Sequence, residues 1–167
     1  MHPSLVLSIV CLAAVLAGCG DEKSASEDSG KAPENMCEAV APAVPEDWKL
    51  TRTSAEKSKA KTDCTLADET GKTTLVVSVV KPRSGGVDAA LKDLCSTYIG
   101  KPLEGDDNEC TKAGPIKLEG SPAELQRGVR LEKPEAVLWV SLRTNNPDVA
   151  ADAEDVLGDV EDAVSED

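Results

Sequence analysis

The eight residues Thr73-Thr74-Leu75-Val76-Val77-Ser78-Val79-Val80 decide the fold. From Leu75 onward only Ser78 interrupts a run of aliphatic side chains. Successive side chains of a strand point to opposite faces. An extended segment of this kind therefore needs cover on both faces, which places it at the centre of a sheet. Ala136-Val137-Leu138-Trp139-Val140-Ser141-Leu142 repeats the pattern and reads as a second central strand. Two such strands predict helices on both sides of one sheet.

Working back from Thr73, Asp68-Glu69-Thr70-Gly71-Lys72 reads as a hairpin turn. Thr62–Ala67 before it alternates, with Cys64 and Leu66 on one face. Ser54–Lys61 is a polar, Lys-rich connection, and Trp48–Thr53 alternates as a strand with Trp48 and Leu50 inward. Met36, Cys37, Val40 and Ala41 fall at helical spacing, and Pro42 and Pro45 end that short helix.

Working forward, Lys81–Gly86 breaks the central strand. Val87, Leu91, Leu94, Cys95 and Tyr98 then make the apolar stripe of a helix over Val87–Ile99, stopped by Gly100. Lys101–Gly114 reads as a polar loop and Pro115–Glu119 as a short edge strand. Ala123–Glu132 alternates, with Leu125, Val129 and Leu131 on one side, and Lys133-Pro134-Glu135 turns the chain. Asn146-Pro147-Asp148 has the cap, first-turn proline and acid of a helix start. Val149, Ala153, Val156, Leu157, Val160 and Val164 carry the apolar face of that helix to the end. The fold class expected is α+β, a largely antiparallel sheet covered by helices as an α/β/α sandwich.

A different signal precedes this domain. Leu5–Leu16 is an apolar run too short for a membrane span, and it ends in Leu16-Ala17-Gly18-Cys19, a lipobox. The expected division is a signal peptide over 1–18, a lipidated Cys19 heading a disordered polar tether over 19–34, and a single domain over 35–167. Small residues at 17 and 18 admit a peptidase, and the Cys19 sulfur takes a diacylglyceryl group, whose two chains anchor stably. One feature departs from the pattern: no Lys or Arg precedes Leu5. An ordinary secretory signal is the alternative.

Cys37, Cys64, Cys95 and Cys110 remain after Cys11 and Cys19. Four cysteines in an exported domain read as two disulfides with three connectivities open. Sequential pairing, Cys37–Cys64 and Cys95–Cys110, closes the shorter loops and is the expected one. With no C-x-x-C spacing, a thioredoxin-type redox site and a four-cysteine zinc site are disfavoured. Phe is absent, and Trp48, Tyr98 and Trp139 are the whole aromatic set, so Val, Leu and Ala must build the core. The formal net charge of −13 argues against nucleic-acid binding, and it predicts repulsion from an anionic membrane surface, so that the domain stands off rather than lies flat.

Chemistry-bearing patterns are few. His2 is the sole histidine and lies in the leader, which excludes histidine-based triads and metal sites from the domain. Gly71-Lys72-Thr73 resembles the end of a P-loop, but Leu66 stands where the first glycine belongs and a strand follows. Asp106-Asp107-Asn108-Glu109 offers oxygen ligands without the alternating spacing of a calcium loop. Arg52, Lys57, Lys59 and Lys61 form a basic cluster, read either as a solvated connection or as a contact for an anionic polymer or partner. Trp48 and Trp139 are core anchors or cleft walls.

The LAGC box, the polar tether, Cys37 just inside the folded part, Cys64 on an early strand and a late Val/Leu/Trp strand before a final helix resemble small actinobacterial lipoproteins of unknown function. That resemblance implies an architecture similar to the PsbP-like sandwich of photosystem extrinsic subunits, and it carries no functional residues. The function expected is a non-enzymatic, extracytoplasmic lipoprotein held to the cell membrane through Cys19, with no cofactor, binding an envelope protein, lipid or cell-wall ligand. The alternatives are a carboxylate-dependent hydrolase of envelope polysaccharide and a substrate-binding lipoprotein of a transporter.

Overall fold

The computed structural model describes residues 35–100, 108–114, 122–133 and 135–165. They form a six-stranded antiparallel sheet with helices on both faces. The strands are β1 (Thr51–Lys57), β2 (Lys61–Ala67), β3 (Thr73–Val80), β4 (Glu109–Gly114), β5 (Ala123–Leu131) and β6 (Ala136–Thr144), in spatial order β1-β2-β3-β6-β5-β4. Two three-stranded meanders thus meet at the two apolar strands, β3 and β6. Their register runs from Thr73 opposite Thr144 to Val80 opposite Val137.

One face of the centre presents Leu75, Val77 and Val79 of β3 beside Leu138, Val140 and Leu142 of β6, all buried. Over it pack α1 (Met36–Val40), α3 (Pro147–Ala151) and α4 (Ala153–Ser165), through Met36, Val40, Val149, Val156, Leu157, Val160 and Val164. The other face is covered at one end by α2 (Gly86–Leu94), whose Val87 and Leu91 close on Val137 with Cys95. The two-sided cover expected from the sequence is present. At about 25 cal/mol per Å² of apolar area, these clusters supply the main driving force, built without a single phenylalanine.

Several elements differ from the sequence reading. Trp48 is not on a strand: Glu46–Trp48 is a 3-10 turn, and Lys49 is left-handed (φ 51°), so the alternation of 48–53 is coincidental. Trp48 is nevertheless buried. β1 begins at Thr51 and absorbs Ser54–Lys57 from the expected connection; every β1 side chain is exposed, so backbone pairing with β2 makes this strand. A bulge between Arg52 and Ser54 and charged side chains guard this open edge. Glu109–Gly114, read as loop, is the opposite edge strand. The expected strand over 115–119 lies outside the described residues.

The helix after Gly86 ends in a π turn over Cys95–Ile99, in which the Gly100 amide bonds the Cys95 carbonyl. The wider turn brings Ile99 inward and leaves Tyr98, expected on the buried stripe, 54% exposed. The final helix divides at Asp152 (φ −92°, ψ 0°). Its start is as read: the Asn146 side chain accepts from the Asp148 amide, and Pro147 opens the first turn.

Gly128 was not singled out from the sequence. It pairs with Trp139, and a Cβ there would sit 2.8 Å and 2.9 Å from indole ring atoms and 3.2 Å from Cys110 Sγ. The indole uses the absent side chain's space. Gly128→Ala is expected to destabilise the fold by about 1–3 kcal/mol through this overpacking, measured by urea unfolding.

The turn into β3 is tied by Asp68, whose Oδ1 accepts from the Thr70 and Lys72 amides and the Thr70 hydroxyl, while Oδ2 accepts from the Thr73 amide. Desolvation raises this carboxyl's pKa, but the hydrogen bonds from Thr70, Lys72 and Thr73 outweigh it and hold the group below its ordinary 3.8. A depressed carboxylate contributes stability that is present above the unfolded pKa and lost as pH falls through the folded one. Asp68→Asn is therefore expected to lower the urea midpoint at pH 7, with the gap to the native chain closing as pH drops below 3.8.

Candidate functional site

The cysteines sit where helices meet the sheet. Cys37 on α1 is bonded to Cys64 on β2, with Cα atoms 5.1 Å apart. Cys95, at the start of the π turn, is bonded to Cys110 on β4, with Cα atoms 6.0 Å apart. The sequential pairing expected from the shorter loops is the one present. Each bridge fastens a cover from one face to a strand outside the central pair. Tyr98 leans against Trp139 with ring centroids 5.3 Å apart and planes tilted by 46°, beside the second bridge. Both tryptophans are buried, as core anchors should be.

Beside the first bridge lies a groove of about 460 Å³ between α1, its following turns and the start of β1. Leu50, Leu66, Val44 and Cys37 give it an apolar floor, and Arg52, Glu38 and Glu46 stand on its wall. It places two carboxylates and one guanidinium on a single concave surface. Among the described residues no group of three or more His, Cys, Asp or Glu is placed to hold a metal ion.

The second groove, of about 450 Å³, lies at the end of the sheet where β1 turns into β2 and β3 leaves for α2. Backbone bonds set its walls: the Lys81 amide donates to the Ala60 carbonyl (2.9 Å), and the Ser58 amide to the Lys61 carbonyl (2.7 Å). The Ser58 hydroxyl oxygen accepts from the Lys61 amide (3.0 Å), which tightens the turn. Lys61, Lys81 and Arg83 rim the groove, and Val80, Pro82, Ala90 and Leu94 form its apolar base, with Asp93 the acid on its lining. The basic cluster read as Arg52, Lys57, Lys59 and Lys61 is thereby divided. Arg52 lines the first groove and also shares a smaller hollow with Lys57, while Lys61 lines the second groove with Lys81 and Arg83, and Lys59 sits in the exposed turn between β1 and β2. This junction was invisible in sequence because the Lys81–Ala60 contact makes it.

The acidic run is divided too. Asp106 and Asp107 lie outside the described residues; Glu109 sits on β4, where its carboxylate accepts from Arg127 at 2.8 Å. Arg127 also reaches Glu161 of α4 at 2.9 Å, so one guanidinium ties edge strand to helix. Burial raises the Glu161 pKa; Arg127 opposes that, and Glu109 and Asp162 add to it. Desolvation thus outweighs the pairing, which marks this triad as a positional tie. Gly71 and Lys72 lie in the β2–β3 turn and Thr73 opens β3, so the stretch leads into a strand as the sequence implied. Cys19 lies outside the described residues.

No protein-family model, curated protein or solved structure matches the chain.

Replacing Cys95 and Cys110 together by Ala is expected to cost about 3 kcal/mol of unfolding free energy, since the bridge closes a loop of 15 residues. Urea unfolding of the double variant beside the native chain measures this.

Proposed function

We propose that the chain is an exported lipoprotein, held on the extracytoplasmic face of the cell membrane through a diacylglyceryl group on Cys19, whose domain is a non-enzymatic binding module. The observation that carries the reading is that all four cysteines after Cys19 are paired in two disulfides. Such bonds persist in oxidising compartments and are rare in the cytosol. The Leu16-Ala17-Gly18-Cys19 box supplies the matching address and anchor. The kinship proposed is with small actinobacterial envelope lipoproteins of unknown function. The ligand class favoured is an envelope protein, lipid or cell-wall component.

The first groove supports a second reading. Glu38 and Glu46 share one concave wall, the minimum that a carboxylate-dependent hydrolase of envelope polysaccharide requires. That reading stands if soluble cell-wall polysaccharide is cleaved by the native chain and not by Glu38→Gln or Glu46→Gln. Equal product from all three, or none from any, removes it. A two-lobed transporter-type clamp has less support, because the described strands form one continuous sheet.

For the main reading, the native chain in membranes is expected to begin at Cys19 and carry the added mass of a diacylglyceryl group. Cys19→Ser is expected to move the protein from the membrane to the soluble fraction. Intact-mass spectrometry and fractionation check both, and an unlipidated chain beginning elsewhere contradicts the assignment.

A further inference from the structure

We propose that the end of the sheet carrying Lys57, Lys59, Lys61, Lys81 and Arg83 docks on the anionic phospholipid headgroups of the membrane that holds the anchor. The inference rests on the lipoprotein reading and adds an orientation and a lipid class to it.

Charge is the first argument. The chain carries a formal net charge of −13, yet the segments Lys57–Lys61 and Lys81–Arg83 hold five cations and no acid. All five are exposed, and the Lys81–Ala60 backbone bond holds the two segments together. The acids nearby are few. Asp63 is bound to Lys61 at 2.7 Å, Glu56 sits beside it on β1, and Asp93 lines the groove. The β5–β6 turn at the same end adds Glu132, Lys133 and Glu135, so docking centres on the β1–β2–β3 corner. Because the Debye length is about 8 Å at physiological salt, an anionic surface responds to this corner rather than to the acids of α4.

Chain path is the second. Asn35 and Met36, the first described residues, share a hollow with Lys57, Thr62 and Asp63. The domain therefore joins its leader segment at the basic end. Cys19 and Asn35 are ~16 residues apart in sequence, and a flexible chain of that length spans about 20–24 Å. An anchor at that distance confines the corner near the headgroups, so weak individual contacts suffice.

The groove is the third. Cations on its rim over an apolar base of Val80, Pro82, Ala90 and Leu94 match a phosphate joined to glyceryl and acyl carbons. Each basic residue near an anionic leaflet is worth about a five-fold factor in partitioning.

The test uses the mature chain from Cys19. Its four other cysteines are bonded, so Cys19 couples selectively to a maleimide-bearing lipid. Vesicles are made of phosphatidylcholine alone or mixed with phosphatidylglycerol, and lysine acetylation is mapped by mass spectrometry. On the anionic vesicles, labelling of Lys57, Lys59, Lys61 and Lys81 is expected to fall about five-fold or more relative to neutral ones. High salt should restore it, and Lys72 and Lys112, away from this corner, should not change. In a Lys57→Glu, Lys59→Glu, Lys81→Glu variant, altered only at exposed positions, the protection of Lys61 is expected to vanish. Equal labelling on both vesicle types, or protection centred on Lys72, overturns the proposal. The assay supplies its own anchor, whereas intact mass of the membrane-extracted chain reads natural lipidation. Failure of the docking and failure of the lipoprotein reading are thus seen separately.

Discussion

Everything in this domain depends on the pairing of β3 with β6. Their eight-residue register sets Leu75, Val77 and Val79 beside Leu142, Val140 and Leu138 on one face, and leaves Val137 and Trp139 to be covered on the other. Most side chains of both strands are buried, the exceptions being the half-buried Thr74, Val76, Val80 and Ser141 and the exposed Arg143. The remaining strands extend the sheet outward from this pair as two meanders, and the helices exist to close its faces. The outermost strands can therefore be polar, since only their backbones are needed.

The covers are short. α1 has five residues and α2 nine before its π turn, lengths at which an isolated helix is unstable in water. A core of small aliphatic side chains also buries less area per residue than one with phenylalanine. The two disulfides answer this on each face separately. Cys37–Cys64 holds α1 on one side, and Cys95–Cys110 holds the end of the α2 region to β4 on the other. Trp139 fills the space left open by Gly128 next to the second bridge, and the Tyr98 ring leans against it.

What the sequence made legible followed from burial. Leu75–Val80 and Ala136–Leu142 could only be central strands, and Asn146-Pro147-Asp148 could only begin a helix. The cysteine pairing followed from loop length. The misreadings fall where burial is silent. β1 shows no apolar alternation because its side chains face solvent, and β4 offers only Cys110 between the exposed Glu109 and Thr111, so in both the backbone pairing with a neighbour carries the strand. The π turn replaced Tyr98 by Ile99 through a change of helical pitch that a fixed wheel does not register. Trp48 was read as buried correctly, but on the wrong element. The basic run at Lys57–Lys61 was visible; its union with Lys81 and Arg83, and the nearness of Asn35, arise only once β1, β2 and β3 are side by side.

The central pair organises the remaining strands and both covers, so the rank order of strand stability is the property to measure. Amide hydrogen exchange on the oxidised protein does so most directly. The amides of Thr73–Val80 and Ala136–Thr144 should exchange most slowly, near the rate of global unfolding, with β1 and β4 opening first. Edge strands protected as strongly as the centre, or a β3 that exchanges early, would contradict the primacy of the β3–β6 pair.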